Sequence, residues 1–132
     1  MAVKVSETIA HLHYWSVELV RPASKEEVLA AFGTSSRIAM VHMDSGLTAL
    51  NAVKELVSDL GRPHSNLYEV ALWADMLRVE GNELFYAYMV DNQAIVIPET
   101  IYAIRALTAR VETGAQSIGR TNAALGIRGA LI

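Results

Sequence analysis

The chain has 132 residues, 52% apolar and 19% charged, which fits one compact unit with its own core and no disordered tail of consequence. Its formal charge of −3 gives no basic field for gathering the phosphates of a nucleic acid, and residues such as Glu18, Arg37, Asp75 and Arg105 interrupt every apolar run short of a membrane helix. The sequence contains no cysteine, so disulfides, thiolate metal sites and thiol catalysis by these residues are excluded.

The first residues show no basic segment followed by an apolar stretch and a cleavage site, so the cytoplasm is the expected compartment. Residues 9–20 are rich in β-branched and aromatic types and predict a long strand, with His11, His13 and Trp15 on one face and Leu12, Tyr14 and Ser16 on the other. Ser24 and Glu27 form a capping-box pattern ahead of a short helix over 25–32, which Gly33 is expected to stop. Residues 37–42 fit a short buried strand. Ser45-Gly46 is then expected to open a helix carrying Leu50, Val53, Leu56, Val57 and Leu60 at helical spacing, ended by Gly61 and Pro63.

Three extended segments follow, about 67–73, 76–80 and 84–90, with turns at Ala74-Asp75 and Gly81-Asn82, a pattern that predicts an antiparallel meander. Pro98 suits the first turn of a helix running through Ile101, Ile104, Leu107 and Val111. Gly114 marks a break, a second helix covers about 115–125 up to Gly126, and 128–132 reads as a loose tail. The order β-α-β-α-β-β-β-α-α implies an α+β fold: a mixed, mostly antiparallel sheet with helices on one face, and helices at the C-terminal end. Residues 1–97 form the sheet portion and 98–132 a helical segment of the same compact unit. The second sheet face, assigned Tyr14, Trp73, Tyr86 and Tyr88, is more apolar than a wetted face requires, which points to an oligomer or partner-chain interface; a half-covered surface is the plainer alternative.

His11 and His13, two apart on a strand, point the same way and could share a metal, but the spacing supplies no third ligand; packing at a core edge or interface explains them more simply. Glu18, Glu69, Glu80 and Glu83 could include an acid/base pair, though solvated or salt-bridged carboxylates are far commoner. No Gly-x-Ser-x-Gly turn and no Gly-x-Gly-x-x-Gly fingerprint occurs, so neither a serine hydrolase nor a dinucleotide fold is signalled. No catalytic or metal-binding residue is assigned.

Four ordered segments carry a family likeness: Asp59 to Trp73 with its Leu-Gly-Arg-Pro and Leu-Tyr-Glu-Val-Ala runs, Gly81-Asn82-Glu83-Leu84, Ile97-Pro98-Glu99 leading to Ala103-Ile104-Arg105-Ala106, and Thr121-Asn122 leading to Leu125-Gly126-Ile127. Together they resemble the C-terminal part of the archaeal (type II) glyceraldehyde-3-phosphate dehydrogenases. The resemblance implies a dehydrogenase catalytic-domain-like fold whose sheet packs on a neighbouring subunit, in a phosphorylating, NAD- or NADP-linked enzyme of glycolysis and gluconeogenesis. In that family the cofactor lies on an N-terminal Rossmann domain, followed by the nucleophilic cysteine and a His-His-Gly-Pro-type segment with the base. None of these stretches is present, and Met1 to Val5 resembles an interior stretch of the family.

The resemblance therefore implies a chain that binds no cofactor alone and needs a missing N-terminal half, as a partner, for the reaction. Asn92 stands where the family has a Gln that contacts the nicotinamide; it keeps the amide with one methylene fewer, while Asp91, Gln93 and Ala94 depart from the family's His-Gln-Glu-Ser pattern. A polar loop capping the next helix is the competing account of Asn92. The alternative function is a non-catalytic interaction module descended from the enzyme, docking on a larger assembly by its exposed sheet or last helices.

Overall fold

The computed structural model describes residues 10–108 and 113–131. Residues 1–9, Val111 and Ile132, to which some of the expectations above refer, lie outside them. The element order matches the sequence reading: strand β1 (Ala10–Glu18), helix α1 (Lys25–Gly33), β2 (Ile38–Val41), α2 (Leu50–Asp59), β3 (Val70–Trp73), β4 (Arg78–Glu80), β5 (Glu83–Asp91), α3 (Val96–Leu107) and α4 (Gly114–Leu125). The fold is α+β around a mixed, five-stranded sheet.

The sheet runs β1-β5-β3-β2, with β4 also paired to β5. β1 is antiparallel to β5 along its whole length, from Ala10 opposite Asp91 to Glu18 opposite Glu83. The expected meander is not formed. β3 and β4 both pair with β5 rather than with each other, Leu72 opposite Tyr88 and Arg78 opposite Phe85. The 3-10 turn Ala74–Met76 between them interrupts what would be one strand, and β2 pairs with β3 in parallel.

Helices cover both faces of the sheet, unlike the single covered face expected. Along β3, Ala71 and Trp73 pack with Val53 and Val57 of α2, whereas Leu72 packs with Val28 of α1. Alternation along a strand sends neighbours to opposite faces, so the two helices lie on opposite sides. The same alternation separates the aromatics that had been placed together: Trp73 belongs to the α2 side, and Tyr86 and Tyr88 to the α1 side. Trp73 is buried, its Nε1 donating to the Leu47 carbonyl at 2.6 Å. Each fully buried Val or Leu in these clusters contributes roughly 1.5–3 kcal/mol.

Local signals explain most helix ends. Ser24 Oγ accepts from the Glu27 amide at 3.1 Å while Glu27 Oε2 accepts from the Ser24 amide at 2.8 Å, the reciprocal capping box expected. Gly33 remains inside α1, and the stop falls at Thr34, whose hydroxyl donates to the Ala31 carbonyl. α2 begins later than expected, at Leu50, because Met43–Ser45 form a separate 3-10 turn closed by Gly46 at φ 81°. Pro98 is the third residue of α3, where no intrahelical partner for an amide exists. Thr113 caps α4 through the Gln116 amide, and Gly126 ends it at φ 69°.

The segment after α4 is not loose. Ile127 and Leu131 are buried, Leu131 among the residues beneath α2. Gly129 has φ 70° and passes so close to Ser36 that an added Cβ would lie 3.2 Å from its Cα.

Candidate functional site

The buried ionic groups identify what the motif residues do. Arg62 and Glu69, inside the first motif, form a two-pronged ion pair at 2.5 and 2.6 Å, with Glu69 fully buried. The same guanidinium donates to the Gly126 carbonyl at 3.0 Å and lies 5.6 Å from the Tyr68 ring centroid. It thereby fastens the end of α4 to the start of β3. Arg37 acts likewise at α3, donating to the Tyr68 carbonyl, the Ile95 carbonyl and the Glu99 carboxylate at 3.0, 3.1 and 2.8 Å. Arg105 links α3 to α4 through the Ser117 carbonyl and the fully buried Thr121 hydroxyl.

Asp91, the last residue of β5, is the hub of the turn into α3. Its carboxylate is 1% exposed and takes four donors: Lys54 Nζ at 2.5 Å, and the amides of Leu67, Gln93 and Ala94 at 3.3, 3.0 and 3.1 Å. Burial works to raise this carboxyl, but the hydrogen bonds from Lys54 and from the Ala94, Leu67 and Gln93 amides outweigh it and hold it below the ordinary carboxylate range. Lys54, on α2, also donates to the Ser65 carbonyl at 2.5 Å. The sequence reading missed this group. An Asp two residues ahead of an amide that needs a partner at a helix entry was its only visible signal.

Asn92 follows immediately and is half-buried. Its Nδ2 lies 3.2 Å from His11 Nε2, across from β1. The His11 and His13 rings stand edge to face at 6.0 Å between centroids, and His13 stacks on Tyr88 at 5.0 Å. The Trp15 Nε1 donates to the Tyr88 hydroxyl at 3.0 Å, and Tyr86 lies 6.0 Å from Tyr88. Burial, then the neighbouring Tyr88, raise the Tyr86 phenol above its ordinary value. An aromatic and imidazole row thus runs along one face of β1 and β5 and ends at Asn92.

The other candidates are dispersed. His42 Nδ1 is 3.8 Å from Asp75, and His64 lies in the 3-10 turn Pro63–Ser65 with φ 55°. Among the described residues no three His, Asp or Glu side chains are grouped as a metal site would need. Glu69 is tied up by Arg62, Glu80 pairs with Arg78, and Glu18 accepts from Asn82 at 3.2 Å. Glu18 and Glu80 lie opposite Glu83 on either side of β5. No helix among the described residues is long and apolar enough to cross a membrane.

No family model matches the chain. Curated relatives do, over 96% of its residues. It is 39% identical over 126 residues to the glyceraldehyde-3-phosphate dehydrogenase of Pyrococcus furiosus, 37% identical over 127 residues to that of Metallosphaera sedula, and 35% identical over 126 residues to glyceraldehyde-3-phosphate dehydrogenase 2 of Methanosarcina barkeri. In each case the match occupies 37% of the relative's length, so the chain spans just over a third of the curated proteins it resembles.

Proposed function

We propose, from this homology to the archaeal glyceraldehyde-3-phosphate dehydrogenases, that the chain serves as the sheet-bearing catalytic-domain portion of such an enzyme and cannot carry out the reaction alone. The observation that carries the proposal is the use to which the shared motifs are put. Arg62 and Glu69 bind each other, Arg105 binds Thr121, and Pro98 opens α3, so the likeness lies in residues that hold a scaffold together. A phosphorylating dehydrogenase also needs a nucleophile for the aldehyde, a base, and a placed nicotinamide to accept hydride. These 132 residues contain no cysteine.

The cofactor of the complete enzyme is NAD or NADP, and this chain fits it at one point. The Asn92 carboxamide has the hydrogen-bonding chemistry to meet the carboxamide of a nicotinamide. A pyrophosphate has no comparable cradle at the entry to α3, because the Asp91 carboxylate already occupies the Gln93 and Ala94 amides and adds negative charge. When bound to the complete enzyme the cofactor accepts hydride; in this reading Asn92 only orients its ring.

Contact with other chains is assigned to two exposed apolar areas. Tyr14 and Trp15, which point to opposite faces along the outer edge of the sheet at β1, are 65% and 47% exposed, and Ile104 and Leu107 on α3 are 55% and 87% exposed. The first area meets a second copy, and the second meets the portion supplying the cofactor domain. Residues 98–132 act with the sheet portion as one unit.

The test is reconstitution. The remaining portion of the Pyrococcus furiosus relative, produced separately and mixed with this chain, is expected to regain aldehyde-dependent NAD(P) reduction. Mixing without any gain, although the two portions bind each other, would count against the assignment. Size-exclusion chromatography checks the contact areas, since a strictly monomeric chain contradicts pairing through Tyr14 and Trp15.

A further inference from the structure

We propose that Asp91 and His11 are positioning residues for Asn92, Asp91 fixing the backbone of its turn and His11 fixing its carboxamide, so that Oδ1 is presented to a ligand carrying an amide N–H donor. The inference rests on the reading of Asn92 as a ligand contact and adds the two groups that prepare it.

The backbone support is a closed set of bonds. Asp91 Oδ1 accepts from the Gln93 and Ala94 amides, and its main-chain carbonyl accepts from the Ile95 amide at 2.9 Å. The amides on the far side of Asn92 are therefore all held by the residue on its near side. Oδ2 meanwhile accepts from Lys54 Nζ and the Leu67 amide, which connects the turn to α2 and to the lead into β3. A carboxylate with four donors and 1% exposure has little freedom to move, and the Asn92 backbone inherits that restriction.

The side-chain support sets polarity. An amide nitrogen can only donate, so a contact of 3.2 Å between Asn92 Nδ2 and His11 Nε2 requires the imidazole lone pair at Nε2 and the proton at Nδ1. That contact uses one of the two Nδ2 hydrogens and leaves Asn92 Oδ1 as the acceptor offered to a ligand, with the second Nδ2 hydrogen beside it. His11 is itself supported, edge to face on His13, which stacks on Tyr88. The cross-strand row thus ends in an oriented acceptor. A carboxamide ligand satisfies that acceptor through its NH2, whereas the corresponding carboxylate brings no donor and a repelling charge.

The test uses the full chain and nuclear magnetic resonance of the Asn92 side-chain NH2, assigned by its loss in Asn92→Asp. In the wild type this group is expected to be rigid, with an order parameter near 0.85; in Asp91→Asn and in His11→Ala it is expected to fall below about 0.6 while the β1 and β5 backbone amides keep their shifts. His11 is exposed, so His11→Ala keeps the proposal open to refutation even where Asp91→Asn does not fold. Unchanged rigidity of Asn92 in His11→Ala overturns the positioning. For the ligand, titrated into the labelled chain bound to the remaining portion of the Pyrococcus furiosus relative, nicotinamide mononucleotide is expected to shift the Asn92 signal at least tenfold more tightly than nicotinic acid mononucleotide. Equal response to the two overturns the acceptor assignment, and no wild-type response to either overturns the ligand reading of Asn92 itself, whatever the mobility results.

Discussion

Replacing Glu69 by Ala removes the fully buried half of the ion pair and leaves the Arg62 guanidinium, its side chain 9% exposed, with a single carbonyl partner at Gly126. Stranding a buried charge in this way costs about 3–5 kcal/mol. A domain of this kind has roughly 5–15 kcal/mol in total, so the loss removes a large part of the stability. With a urea m-value of about 2 kcal/mol/M, the midpoint is expected to fall by about 2 M at unchanged m. The paired substitution Arg62→Met with Glu69→Leu removes both charges and is expected to recover most of that loss, because neither group is then left unpartnered. Equilibrium urea unfolding of the three proteins decides the matter. A loss below about 1 kcal/mol for Glu69→Ala, or a double variant no better than the single, would refute the view that this pair holds α4 to the sheet.

Three further outcomes follow from the same structure. Asp91 titrates below an unfolded Asp, whose pKa is about 3.9, so its contribution is present above that value and is lost as pH falls through the lower folded value. The stability gap between wild type and Asp91→Asn is therefore expected to be widest above about pH 5 and to close in acid, as urea midpoints from pH 7 to pH 2 would show; a gap independent of pH contradicts it. Gly129→Ala combines a positive φ with a Cβ placed 3.2 Å from the Ser36 Cα, and is expected to cost about 1–3 kcal/mol by thermal or urea unfolding. Ser24→Ala removes the capping box of α1 and is expected to cost about 0.5–2 kcal/mol, with a loss of amide-exchange protection at Glu27.

What the sequence made legible was local chemistry. Ser24 with Glu27, the stop at Gly126 and the Pro98 entry each act within a few residues, so spacing alone locates them. The element order followed from alternation and from helical periodicity. Pairing was less accessible: β3 and β4 share the same edge of β5 because the turn at Ala74–Met76 offsets them, and nothing in residues 67–80 distinguishes that from a meander. Facing was misread for the same reason, since the sides taken by Trp73 and Tyr86 depend on register between strands far apart in sequence. The path of the last residues is set by tertiary contact: Leu131 packs in the core cluster with Val53 and Val57, just after Gly129 takes φ 70° against Ser36. At the site, Asn92 was singled out by position, whereas its supports come from Lys54, Leu67 and His11, 38, 25 and 81 residues away in sequence, beyond the range of any local pattern.

Under the proposed function the chain supplies a scaffold and an orienting contact, and the reacting groups lie elsewhere in the complete enzyme. The most direct measurement is NAD(P) reduction by the purified chain alone, with glyceraldehyde-3-phosphate, inorganic phosphate and each nicotinamide nucleotide in excess. The expected rate equals that of the reaction without protein. Turnover above that background by the chain alone, abolished by Asn92→Ala and so traceable to its own residues, would contradict the account.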